Sequence, residues 1–121
     1  MKHKKIGRKF GRIKSQREAL FSTLMGSLIL HEKITTTEAK AKEVKSKIDR
    51  IINKAKSSNE SKEKKVAVIR DLNKTLSKDV VEKLTGEFSK KFEGRNSGYT
   101  RVIKIAPRKS DASKMAVIEF V

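Results

Sequence analysis

Residues 1–17 contain eight lysines and arginines (Lys2, Lys4, Lys5, Arg8, Lys9, Arg12, Lys14 and Arg17) and not one acid. A segment of charge +8 with no apolar periodicity repels itself and buries too little to offset the entropy of ordering. Such a segment is expected to stay an extended arm until a polyanion neutralises it. A second basic region covers residues 95–114, where Arg95, Arg101, Lys104, Arg108, Lys109 and Lys114 stand against Asp111 alone. The 77 residues between them, 18–94, hold only +5 of the total +17. The charge therefore divides the chain into a basic N-terminal arm, residues 1–14, and a single domain, residues 15–121.

The domain must have a modest core and a heavily charged surface, because the charged residues (37%) slightly outnumber the apolar ones (36%). Ser15 followed by Glu18 has the spacing of a capping box, and Leu20, Leu24 and Leu28 run beside Phe21, Met25 and Ile29 as two ridges of one helix, placing helix 1 at Ser15 to His31. One of Thr35 to Thr37 is expected to cap helix 2, whose apolar positions Ala41, Val44, Ile48, Ile51, Ile52 and Ala55 recur every three or four residues up to about Lys56. Val66, Ile69, Leu72 and Leu76 mark helix 3. Ser77 is placed as the cap of helix 4, carrying Val81, Leu84, Phe88 and Phe92, with Gly94 as its stop. Acids standing four residues before a lysine (Glu38 with Lys42, Glu43 with Lys47, Glu60 with Lys64, Asp79 with Lys83, Glu87 with Lys91) suit exposed helix faces.

After Gly98 the pattern changes. Tyr99 to Ala106 and Met115 to Val121 read as strands, and Lys33 to Thr36 as a brief third one. The expected fold is α+β: about four helices packed on one face of a small mixed or antiparallel sheet. The loop between the last two strands, Pro107 to Lys114, is longer and more basic than a hairpin turn requires, which makes it a candidate contact loop.

The excess of positive charge points to nucleic acid as partner. No segment approaches the roughly 20 apolar residues that a membrane-spanning helix needs. The stretch Ala19 to Leu30 is broken by Ser22, Thr23, Gly26 and Ser27, so no signal peptide is expected. With no cysteine, and with His3 and His31 far from any cluster of acids, neither a metal nor another cofactor is expected. The acids are spaced to face lysines rather than one another, so no enzyme activity and no small-molecule substrate are expected. Glycine followed by arginine occurs twice in the arm, at Gly7-Arg8 and Gly11-Arg12, which permits close backbone approach to a phosphate beside a forked guanidinium.

The candidate RNA-binding residues are therefore Lys2, His3, Lys4, Lys5, Arg8, Lys9, Arg12, Lys14 and Arg17 of the arm and its junction, His31 at the end of helix 1, and Arg95, Tyr99, Arg101, Arg108 and Lys109 near the C-terminus. Tyr99 suits a core position as well as a stacking platform, and Phe10 suits a pocket on RNA or protein. Two other classes share the charge. A free architectural protein would coat or bend DNA of any sequence, and an RNA-cleaving enzyme would have to use His3, His31 and a lysine.

The chain resembles the bacterial large-subunit ribosomal protein seventeen family over nearly its whole length. The resemblance is carried by Met1-Lys2-His3-Lys4-Lys5, the Gly7-Arg8-Lys9 and Gly11-Arg12 steps, Ser27-Leu28 with His31-Glu32, and the run from Ile34 to Glu43. Gly98-Tyr99-Thr100-Arg101 and Met115 to Glu119 complete it, while Gln16, Ser22, Thr23 and Ser97 depart from the family pattern. The resemblance implies binding to 23S ribosomal RNA in the large subunit of a cytoplasmic ribosome. It also implies a place toward the solvent side near the polypeptide exit, with ribosomal protein thirty-two as neighbour.

Overall fold

The computed structural model describes Gly11 and residues 13–121. The arm candidates Lys2, His3, Lys4, Lys5, Arg8, Lys9 and Arg12, and Phe10 with them, lie outside the described residues.

The element order is α1 (Lys14–His31), β1 (Lys33–Thr37), α2 (Glu38–Ser57), α3 (Lys62–Leu72), α4 (Lys78–Thr85), a 3₁₀ helix (Glu87–Phe92), β2 (Thr100–Ile105) and β3 (Met115–Phe120). The strands form one antiparallel sheet in the order β1-β3-β2, so the last strand lies between the other two. Its register places Ile34 and Val102 on either side of Ile118. Ile118 and Ala116 are fully buried on the face toward the helices. On the opposite face Ile103 and Ile105 remain exposed. The α+β expectation holds, with the sheet antiparallel throughout.

The periodicity of α2 is realised directly: Ala41, Val44, Ile48, Ile52 and Ala55 are fully buried and Ile51 is half-buried. Burying each valine or isoleucine contributes about 1.5–3 kcal/mol of transfer free energy. Phe21, Met25, Leu28 and Ile29 bring α1 onto the same core. The Thr37 hydroxyl accepts from the Lys40 backbone N–H at 3.4 Å, which is the expected cap.

The start of α1 differs from the expected capping box. The helix begins at Lys14, Ile13 occupies the cap position without a side-chain hydrogen bond, and Ser15 already lies inside the first turn. The Arg17 N–H reaches the Ile13 carbonyl at 2.9 Å, so the backbone closes the turn without the serine. Helices 3 and 4 are also shorter than the apolar spacing suggested. Leu76 is buried but lies beyond the end of α3, in a turn where its N–H bonds to the Leu72 carbonyl at 2.9 Å. Ser77 does sit at the start of α4, but its hydroxyl bonds Asp79 and caps no backbone N–H. Gly86 leaves helical geometry (φ −88°, ψ −142°), so Phe88 and Phe92 are delivered to the core by the 3₁₀ helix. Gly94, at φ +86°, turns the chain after that helix, a conformation with a steric cost for any residue bearing a Cβ.

Two of the expected helical ion pairs are present, Glu38–Lys42 at 2.9 Å and Glu60–Lys64. Lys83 and Lys91 converge on Glu32, at 3.5 Å and 3.1 Å. Asp79 is occupied by the Ser77 hydroxyl and the Val80 N–H. Lys47 lies over the Phe21 ring, 5.1 Å from its centroid. Packing between elements has redirected Lys83, because a helix docked on its neighbours offers an acid from another segment at the same reach.

Candidate nucleic-acid interface

The arm enters the domain at the N-terminal end of α1, where Lys14 and Arg17 both stand in the first turn and no acid accompanies them. A helix N-terminus already carries a partial positive charge, so two cations there raise the local potential further. Neither forms an ion pair within the described residues. Arg17 is half-buried and lines an open groove of about 390 Å³ with Phe21, Met25, Lys47 and Ile51. His31 is exposed in the last turn of the same helix, at its opposite end, where a cation would meet the favourable end of the dipole.

The second basic region separates into two kinds of cation. Arg101 donates to Glu119 across the strand pair at 2.8 Å, and Lys33 reaches the same carboxylate at 4.0 Å from the other side. Lys104 lies 3.6 Å from Glu38. Arg108 folds back over its own loop onto Asp111 at 3.7 Å and the Met115 sulfur at 3.3 Å. Arg95, Lys109 and Lys114 are exposed and form no ion pair among the described residues. Half of the basic positions in this region are thus already matched by an acid, which the linear sequence does not reveal because the partners come from other strands and helices.

The loop from Pro107 to Lys114 is a closed structure. The Arg108 N–H bonds the Ser113 carbonyl at 2.9 Å, the Ala112 N–H bonds the Arg108 carbonyl at 2.8 Å, and Ala112 sits at φ +56°. Asp111 accepts from the Ser113 N–H at 3.1 Å, and that bond holds its carboxyl below the usual aspartate range. The tip therefore presents Lys109 on a tied turn.

Tyr99 is not a stacking platform. It is fully buried, its ring packed edge-on against Phe92 with centroids 5.2 Å apart, and no face is open to a base. The sequence could not separate the two readings, since a lone tyrosine beside two arginines suits either. Its hydroxyl shares one proton between the Arg95 carbonyl, 2.8 Å away, and the Asn53 amide oxygen, and accepts from Lys56 Nζ at 3.3 Å. Three residues missed by the sequence reading, Asp49, Asn53 and Lys56, thus hold the loop carrying Arg95 against α2. Asp49 accepts from the Gly98 N–H at 3.4 Å, Asn53 donates to the Asn96 carbonyl at 3.2 Å, and Lys56 donates to the Arg95 carbonyl. Their spacing of four and three residues puts them on one stripe of the helix, the only signal that would have grouped them.

The acids are held as carboxylates. Glu32 is kept below its ordinary range first by the hydrogen bond from Lys91, Glu38 by that from Lys42, and Asp71 by that from Lys54. Among the described residues no group of three or more His, Asp or Glu side chains is arranged to hold a metal. No helix of the described residues is long and apolar enough to cross a membrane.

The family model described as ribosomal protein L17 matches residues 20–121. "Large ribosomal subunit protein bL17" of Azorhizobium caulinodans is 41% identical over all of this chain and 84% of its own length. The protein of that name from Chlorobaculum tepidum is 43% identical over the whole chain and 74% of its length, and that from Petrotoga mobilis 40% identical over the whole chain and 97% of its length. The chain belongs to the ribosomal protein L17 family.

Proposed function

We propose that this chain is a structural constituent of the large ribosomal subunit, held there by electrostatic binding to 23S ribosomal RNA, and that it works without catalysis. The observation that carries the proposal is the segregation of its cations. The helical body, residues 18–94, mixes lysines and arginines with acids and holds only +5 of the total +17. Lys14, Arg17, Arg95 and Lys109 form no ion pair among the described residues, and the acid-free segment before residue 13 adds six more lysines and arginines. Unmatched cations replace the counterions condensed on phosphates, and their release supplies the binding free energy. Family membership fixes the ribosome as the setting, which favours RNA over duplex DNA.

In this reading the arm lies between RNA helices and contacts backbone and shape, since duplex RNA buries its base edges in a narrow major groove. The finer placement is a position near the polypeptide exit in a cytoplasmic ribosome, beside ribosomal protein thirty-two. A salt titration of binding to 23S ribosomal RNA, with duplex DNA as competitor, tests the proposal. Removal of residues 1–12, with six lysines and arginines, should lower the slope of log K against log salt by up to about 4, at roughly 0.7 for each lost phosphate contact. An unchanged slope, or equal affinity for duplex DNA, would sink it.

A further inference from the structure

We infer that Tyr99, with Asp49, Asn53 and Lys56 of α2, is a positioning device that fixes the Arg95–Gly98 loop so that Arg95 meets an RNA phosphate already in its bound conformation. The inference rests on the proposal of RNA binding above. It is the loop's backbone, and not its side chains, that is held. Carbonyls of Arg95 and Asn96 and the amide of Gly98 are taken up by four side chains, three of them on one stripe of α2. The Arg95 side chain itself is exposed and in no ion pair among the described residues, whereas Arg101 and Arg108 in the same basic region are tied to acids.

The chemistry of the clamp adds to the field at the loop. Lys56 Nζ spends its hydrogen bonds on a carbonyl and a phenol, both neutral, and lies 5.4 Å from the centroid of the Tyr99 ring. Its charge is therefore not cancelled by a bonded acid, and it sits beneath the loop that carries Arg95. Gly98, at φ +68°, gives the turn its direction, and Tyr99 follows it immediately into the core. A guanidinium on a fixed backbone loses less freedom on binding than one on a free loop, and this difference appears directly in affinity. Tyr99 touches no RNA in this arrangement. It acts through Arg95.

A double-mutant cycle on the full chain tests this, with binding to transcribed 23S ribosomal RNA followed across a salt titration. Arg95→Ala should weaken binding about tenfold, as expected for one charge-assisted contact, and lower the salt slope by roughly 0.7. Tyr99→Phe keeps the packed ring and removes only the hydroxyl, and Asn53→Ala alters an exposed side chain, so both variants retain the core. Each should weaken binding about threefold or more, and neither should add to the loss already caused by Arg95→Ala. A purely structural tyrosine would lower thermal stability and leave both the affinity and the coupling to Arg95 unmoved. If Arg95→Ala weakens binding while Tyr99→Phe and Asn53→Ala do not, or if the losses multiply, the positioning role is wrong and RNA binding stands. If Arg95→Ala has no effect, Arg95 is not a contact and the inference is overturned. Absence of salt-dependent binding by the unmodified chain would instead remove the reading on which it rests.

Discussion

Glu32 combines a strained backbone with two ion pairs, and the two contributions can be pulled apart by a pair of substitutions. It follows the last residue of α1 at φ +63°, in the left-handed region where a Cβ costs about 1 kcal/mol relative to glycine. Its carboxylate receives Lys91 at 3.1 Å and Lys83 at 3.5 Å, with the side chain 45% exposed. Exposed pairs contribute roughly 0.2–1 kcal/mol each, so the two together offset about the cost of the backbone. Glu32→Ala loses the pairs and keeps the strain, and should destabilise the chain by about 1 kcal/mol. Glu32→Gly loses the pairs and the strain together, and should lie within about 0.5 kcal/mol of the parent. Thermal unfolding followed by circular dichroism should place the glycine variant about 4 °C above the alanine variant. In about 1 M salt the ion pairs are screened, so alanine should approach the parent while glycine rises above it. An alanine variant as stable as the glycine variant at both salt concentrations would refute the assignment of strain to this position.

Ile118→Ala removes a fully buried side chain from the middle of the central strand and should cost about 2–5 kcal/mol, read as a fall in the urea midpoint at constant slope. Thr100→Val should be neutral or stabilising by about 1 kcal/mol, because the buried Thr100 hydroxyl has no hydrogen-bond partner; destabilisation in the same urea experiment would show that the hydroxyl is satisfied. Glu32, Glu38, Asp71, Asp79 and Asp111 all have folded pKa values lowered from their ordinary 4.5 (Glu) and 3.8 (Asp), so their contribution is complete above those values and is lost as pH falls through the lower folded ones. Urea midpoints should accordingly be flat near neutral pH and decline below about 4, and a decline beginning well above that range would refute the assignment to these carboxylates.

The helices were legible because one face of each had to be apolar at a spacing of three or four, and α2 shows this most plainly. What the pattern could not place were the breaks. Phe88 and Phe92 continue the apolar spacing of α4, yet Gly86 interrupts the helix between them and Leu84, and a 3₁₀ segment reaches the same core. Leu76 likewise keeps the spacing of α3 from a turn outside it. In each case burial depends on where a side chain ends up, and two backbone routes lead there. The Ser15 cap failed for a related reason: a capping sequence is effective only where the chain turns, and at the start of α1 the turn comes one residue earlier than Lys14.

For the interface, charge was legible as a sum and not as an arrangement. Counting Arg95, Arg101 and Arg108 as equivalent followed from their shared residue type and region, but strand pairing gives Arg101 to Glu119, and a closed loop gives Arg108 to Asp111. These acids lie 18 and 3 residues away along the chain, and only the fold decides which of the two distances matters. A cation already matched by a carboxylate must break that contact before it can replace a counterion on RNA, whereas an unmatched one exchanges water for phosphate directly. The effective binding charge is therefore smaller than +17 and differently distributed. Arg95 belongs to it because α2 restrains its backbone without neutralising its side chain. Among the described residues of the second basic region, Arg95 differs from Lys109 in that side chains of another element hold its loop, whereas the Lys109 turn is tied by its own residues.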